Sequence, residues 1–189
     1  MKEFLIGLAV AAVVVVALVV RAYNKLVSAR NQMREGWSGI EVQLKRRHDL
    51  VPALVECVKG YQTHERDLLE TVTRERSEAR AASGAGEAGK AEQSLGRDLG
   101  KIVALAEDYP ELKADEAYRG LMGDLVEIED QLQYARRYYN GSVRDLNNRV
   151  ESFPTNLLAG VFGFAKGDFF EVETASERIP PDVAQALRG

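Results

Sequence analysis

The hydrophobic pattern of this chain changes character once. From Phe4 to Val20 it reads FLIGLAVAAVVVVALVV, with no polar or charged side chain, and Arg21 ends the run. Beyond Tyr23, apolar residues return singly, at three- and four-residue spacing. A run without period is apolar on every side, whereas a 3–4 spacing marks one face of a helix. At about 1.5 Å per residue the first stretch spans roughly 25 Å as a helix, just short of a ~30 Å hydrocarbon core. Lys2 and Arg21 can snorkel, and Ala22 and Tyr23 extend the helix into the interface. Twelve of its 17 residues are Phe, Leu, Ile or Val. At about −0.3 to −0.6 kcal/mol each, insertion gains on the order of −5 kcal/mol.

The stretch predicts a transmembrane anchor over residues 1–22. A cleaved signal peptide would have a 7–15-residue apolar region and a small-residue cleavage site. This run is longer, and Val20-Arg21-Ala22-Tyr23 is a poor site. A buried core helix would need far more apolar surface around it than the chain supplies. Arg21, Lys25, Arg30 and Arg34 follow the run and only Lys2 precedes it. The positive-inside rule therefore predicts a cytoplasmic domain on a single-pass protein.

Four amphipathic stripes follow. Leu26, Met33, Trp37, Ile40 and Leu44 make the first, which predicts that the anchor helix runs on into the domain. His48-Asp49-Leu50-Val51-Pro52 reads as a joint, because Pro either opens a new helix or kinks a continuing one. The stripe resumes through Leu50, Leu54, Cys57/Val58, Tyr61, Leu68 and Val72. Ala81–Ala91 (AASGAGEAGKA) reads as a flexible loop. Leu95, Leu99, Ile102 and Ala106 predict a third helix, Ala91–Tyr109, and Glu111–Ala114 a connection. Asp115 caps a fourth, whose stripe runs through Tyr118, Leu121, Leu125, Ile128, Leu132, Ala135, Tyr139, Val143, Leu146 and Val150. Trp37 and Leu125 are expected in the core. No segment alternates with period two. The predicted fold is all-α: a transmembrane helix running into an antiparallel four-helix bundle over residues 23–172, with a flexible tail over 173–189. The fourth helix, about 54 Å long, outruns the third, about 28 Å. The apolar segment Phe153–Phe170 is expected to fold back over the excess, the alternative being an exposed patch for membrane or a partner.

Composition narrows the function. Charged residues make up 29% of the 189 and the net charge is −4, which argues against a nucleic-acid partner. Lys45-Arg46-Arg47 is the longest basic run. Cys57 is the sole cysteine, so neither an intramolecular disulfide nor a cysteine metal cage can form. His48 and His64 are the only histidines, about 160° apart round a continuous helix. His64-Glu65-Arg66-Asp67-Leu68 lacks the second histidine of a zinc-protease helix, and neither histidine has the Glu three residues earlier that a di-iron bundle needs. Both are expected at the surface or at a hinge. Gly84, Gly86 and Gly89 spell GxGxxG, but a charged helix precedes them where a dinucleotide site needs a strand. Glu127, Glu129 and Asp130 read as a solvated helix face. Arg46-Arg47-His48-Asp49 could pair with acids of the fourth helix or meet a partner. No catalytic, cofactor-binding or metal-binding residue is expected, and no enzyme activity.

Taken together, these residues resemble the LemA family. Tyr23-Asn24-Lys25-Leu26-Val27 with Arg30-Asn31, then WSGIEVQLKRRHDLVPALVECVKGY followed by HE, carry the likeness. YPELKADEAYRGL, ARRYYN, FPTN and the later GF and FF continue it in order, over about Phe4–Val172. The resemblance implies a bacterial inner-membrane protein with one span and a cytoplasmic four-helix domain. It implies no enzyme activity and no agreed molecular function. A relative in magnetic bacteria is associated with organelle membranes, which implies a role in membrane organisation. The expected function is a scaffold or interaction protein whose partners are the lipid bilayer, membrane proteins or a second copy. The alternative is a membrane-tethered sensor, or a bundle binding a small ligand.

Overall fold

A long apolar stretch followed by amphipathic stripes folds here as one uninterrupted helix. The computed structural model describes residues 1–60 and 66–171. Helix α1 spans Lys2–Lys59, α2 Arg66–Ala81, α3 Gly84–Glu107, α4 Pro110–Ala114, α5 Glu116–Glu151 and α6 Thr155–Phe162. The fold is all-α, and the described residues contain no strand. The first 21 side chains of the chain are exposed, and the apolar stretch of α1 has none of its residues buried. A helix in the core of a domain would have that surface covered.

The chain divides into two units. The first comprises Met1–Gln43 and Gln131–Phe169. In it α1 and α5 run antiparallel: Gly36 faces Tyr139, Gly39 faces Ala135, and Val27 and Val150 meet in one cluster. A Cβ at Gly36 would lie 3.0 Å from the Tyr139 Cα, so the two backbones approach as closely as a glycine allows. This displaces Trp37. Expected in the core, it is only half-buried; its ring leans on Tyr139 with centroids 5.4 Å apart, and its indole N–H donates to Glu41 Oε1 at 2.8 Å. The returning segment lies on α5 as the length argument expects. Tyr139 donates its hydroxyl to the Asp168 carbonyl at 2.7 Å, and the Asn147 amide exchanges two hydrogen bonds with the Gly167 backbone.

The second unit comprises Leu44–Asp130, with Phe170 and Glu171 among the described residues. It is an antiparallel bundle of the end of α1, α2, α3 and the start of α5. Its helices meet through paired contacts. Arg76 meets His48, Glu75 meets Asp98, Glu92 meets His48, and Glu129 meets Arg47. The core is Val51, Leu54 and Val58 of α1, Leu69 and Val72 of α2, Leu95, Leu99, Ile102 and Ala106 of α3, Leu112 of α4 and Tyr118 of α5. Leu125, expected in the core, is buried. The short α4 replaces the expected connection at Glu111–Ala114.

Of the two outcomes left open at Pro52, a new helix or a continuing one, the second is found: α1 runs through it. A proline removes the hydrogen bond to the carbonyl four residues back, which is that of His48. That carbonyl accepts instead from Arg76 Nε at 2.5 Å, so α2 supplies the donor that α1 lacks. The Gly/Ala-rich stretch is not a flexible loop, because α3 starts at Gly84 and only Ala82 and Ser83 separate it from α2. Its small residues serve close packing: Ala85, Ala88 and Gly89 are buried, and a Cβ at Gly89 would lie 2.6 Å from the Glu171 carbonyl oxygen. With 24 residues α3 is about 36 Å long, so the length mismatch is smaller than the sequence suggests. His64, Tyr61 and the tail at 173–189 lie outside the described residues.

Candidate functional site

Two places in the fold hold chemistry. The first is a charged cluster inside the second unit. Arg47 and His48 sit one turn before Val51, on the apolar face of α1, and Glu92 sits one turn before Leu95 on that of α3. The face they share is the bundle interior, so all three are buried. Glu92 has 0% of its side chain exposed. Its Oε1 accepts from His48 Nε2 at 2.5 Å and its Oε2 from Arg47 Nη1 at 3.1 Å. Arg47 Nη2 reaches Glu129 Oε1 at 3.1 Å, while Arg46 and Glu127 pair at 3.6 Å nearer the surface. Gly96 makes the room, since a Cβ there would lie 2.9 Å from Arg47 Nη2.

The RRHD group therefore pairs with acids of α5, one of the two outcomes the sequence left open. Of the two places expected for His48, the surface or a hinge, the surface is excluded, since the residue is buried. A carboxylate with both oxygens held by neighbouring side chains and no accessible surface is not presented to a substrate. The cluster ties α1 to α3 and α5 inside the second unit. The cue was present in the sequence: Arg47, His48 and Glu92 occupy stripe positions that elsewhere carry Leu, Val or Ile.

A second pair, Asp98 buried and Glu75 half-buried, lies on the α2–α3 face. Burial, the Asp98 charge and a hydrogen bond to Asp98 raise the Glu75 pKa above its usual 4.5. Lys101, 2.6 Å from Asp98, and the bond with Glu75 hold Asp98 below 3.8 against its burial. The fold thus favours a protonated Glu75. That contribution is complete below pH 4.5 and is lost as pH rises through the raised value. Asp98 contributes oppositely, above 3.8 and lost as pH falls through its lowered value. Glu75→Gln, a permanent neutral donor, should raise the melting temperature at pH 7 with a gain that closes below about pH 4.5. The gain is small because Glu75 is only half-buried. Melting both proteins across that range by circular dichroism checks it.

The second place is the end of the first unit where the apolar helix begins its contacts. Leu26, Ala159 and Phe164 form a buried cluster with Tyr23, Val27, Val150 and Leu158 against it. Tyr23 meets the Phe162 ring edge-on at 4.8 Å and the Phe164 ring at 5.8 Å. The Arg30 guanidinium lies 4.8 Å over the Phe164 ring. Helix α6 ends at Gly163, whose φ of 68° is in the left-handed region that glycine adopts without strain.

Among the described residues no group of three or more His, Cys, Asp or Glu is placed to hold a metal ion. Comparison with known proteins points to a family, not a reaction. Magnetosome proteins MamQ 1 and MamQ 2 of Paramagnetospirillum magneticum are each 26% identical over 91% of this chain and 74% of their own length. Magnetosome protein MamQ of Magnetospirillum gryphiswaldense is 25% identical over 87% of the chain and 71% of its own length. Protein LemA of Metamycoplasma hominis is 23% identical over 86% and 74%. With its bare apolar helix and these relatives, the chain is a membrane-associated helical protein. The LemA family model matches residues 36–184, most of the chain, and the chain accordingly belongs to the LemA family.

Proposed function

We propose that this protein is a membrane-anchored, non-enzymatic scaffold, whose helical domain assembles with itself or with other membrane proteins. The observation that carries the reading is the apolar helix at residues 4–20, uncovered on every side and continuous with the helix that enters both units. A bilayer satisfies such a surface, and water does not. The kinship with magnetosome proteins supports a role in organising membranes or membrane-protein assemblies. The net charge of −4 disfavours nucleic acid as a partner. In the alternative reading, a sensor, the bundle takes a small ligand. The apolar core of the second unit, and the pairing of Arg47 and His48 with Glu92 rather than with an open cavity, speak against it.

Cross-linking in native membranes, followed by affinity purification, tests the reading. Cross-linked species of the chain with itself or with membrane proteins are expected, and a reporter fused to residues 1–22 alone should not give them. A chain that stays uncross-linked overturns the scaffold, and a stoichiometric copurifying small molecule selects the sensor.

The excess of Arg and Lys after the apolar stretch supports a single-pass topology in a bacterial inner membrane with a cytoplasmic domain. Cys57 reports on this. It is half-buried, and burial followed by the Asp115 charge raises its thiol pKa, so less of it is reactive thiolate. An impermeant thiol reagent is expected to leave it unlabelled in intact cells and to label it after lysis in denaturant. Labelling in intact cells that matches the denatured sample reverses the orientation.

A further inference from the structure

We infer that helix α6 of this protein is a second membrane contact, which lies in the lipid interface beside the anchor. The inference rests on the apolar helix spanning the bilayer, and is independent of the scaffold role. Helix α6 has two faces. Ala159 is buried, and Leu158 packs on the cluster around Leu26. Leu157 and Val161, one turn apart, are 61% and 78% exposed, and Phe153, just before the helix, is 80% exposed. Phe162 is half-exposed beside them. From Ser152 to Ala165 there is no charged side chain, although charged residues make up 29% of the chain. A surface segment this long without charge in so charged a protein is arranged for an apolar medium.

Position identifies the medium. Phe162 touches Tyr23, three residues and so about 4.5 Å beyond Val20 along α1. The apolar stretch, roughly 25 Å long, falls a few ångströms short of a ~30 Å core, so Tyr23 sits where aromatic residues mark the membrane interface. A side chain against Tyr23 is at the same depth. Amphipathic helices in that layer bury their apolar face about 5–10 Å into the boundary between headgroups and acyl chains. Exposed Arg21 and Lys25 lie on α1 at the same level, which suits anionic headgroups. With α6 in the interface, the first unit is held by two points and loses freedom to swing about the anchor.

The test uses the full chain with Cys57→Ser, reconstituted in vesicles of phosphatidylcholine and phosphatidylglycerol. An environment-sensitive fluorophore is placed on Leu157→Cys, Val161→Cys or Val42→Cys in turn. Val42 is also exposed but lies 22 residues, about 33 Å, beyond Val20. Nitroxide carried at a shallow acyl position should quench the labels at 157 and 161 several-fold more than the label at 42. Equal quenching at the three positions overturns the inference. So does cross-linking of Val161→Cys between two copies without lipid quenching, which would assign the face to self-association. A label on Val14→Cys, quenched by a deep nitroxide, reads anchor insertion separately. Its failure would sink the span itself, whereas failure at 157 and 161 alone would sink only the role of α6. Unchanged helical circular dichroism shows that each variant folds.

Discussion

Glu92→Ala is expected to cost the bundle about 3–5 kcal/mol, because removing one partner of a buried ion pair leaves the other uncompensated. Glu92 holds Arg47 and His48 at once and has no exposed surface. Truncation would leave the His48 ring N–H without its partner inside the bundle and the buried Arg47 with Glu129 alone. At this chain length such a loss lowers the melting temperature by on the order of 10 °C. Glu129→Ala provides the contrast. Glu129 also pairs with Arg47 but is 38% exposed, and a pair screened by water contributes about 0–1 kcal/mol. Thermal unfolding of the detergent-solubilised chain, followed at the helical signal, separates the two variants. Equal melting temperatures for Glu92→Ala and Glu129→Ala would mean that the cluster does not fasten the bundle. Replacing Arg47, His48 and Glu92 together by apolar residues should be far milder than Glu92→Ala alone, since no charge is then left unpaired.

Ala12→Arg with Val13→Arg is expected to release the chain from the membrane. Each arginine near the centre of a span costs about 2.5–3.5 kcal/mol, so two cancel the roughly −5 kcal/mol that the apolar stretch contributes. Neither residue touches the helical units, because both are exposed on the bare part of α1. Folding of the units should therefore survive while localisation is lost. Fractionation with alkaline carbonate reads this directly, with the doubly substituted chain in the supernatant and the parent in the pellet. A doubly substituted chain that stays in the pellet would show that contacts other than this helix hold the protein to the membrane.

The helices were legible because burial imposes period. The stripe from Tyr118 to Val150 matches α5 at Glu116–Glu151, and Asp115 caps it, its Oδ1 accepting the Tyr118 N–H at 2.9 Å. Leu95, Leu99, Ile102 and Ala106 are all buried, as their spacing implies. What failed was local chemistry read without its tertiary partner. Pro52 leaves a break and a continuing helix equally open until Arg76 is seen on the freed His48 carbonyl. The glycines and alanines from 84 to 89 look flexible until the Glu171 backbone is seen against Gly89. Trp37 lies on the stripe, but the close approach at Gly36 moves it to the rim. The charged cluster was half-legible. Arg47 and His48 stand out as polar residues at apolar positions, but nothing in their own segment names Glu92 as the partner, which lies 44 residues from His48.

Mass spectrometry of the mature protein recovered from carbonate-washed membranes reads whether the helical units are held at a bilayer by their own uncut apolar helix. A pellet chain is expected in which residues 4–20 are still joined to the helical units. A mature chain beginning near Ala22, or an intact chain washed into the supernatant, would contradict it.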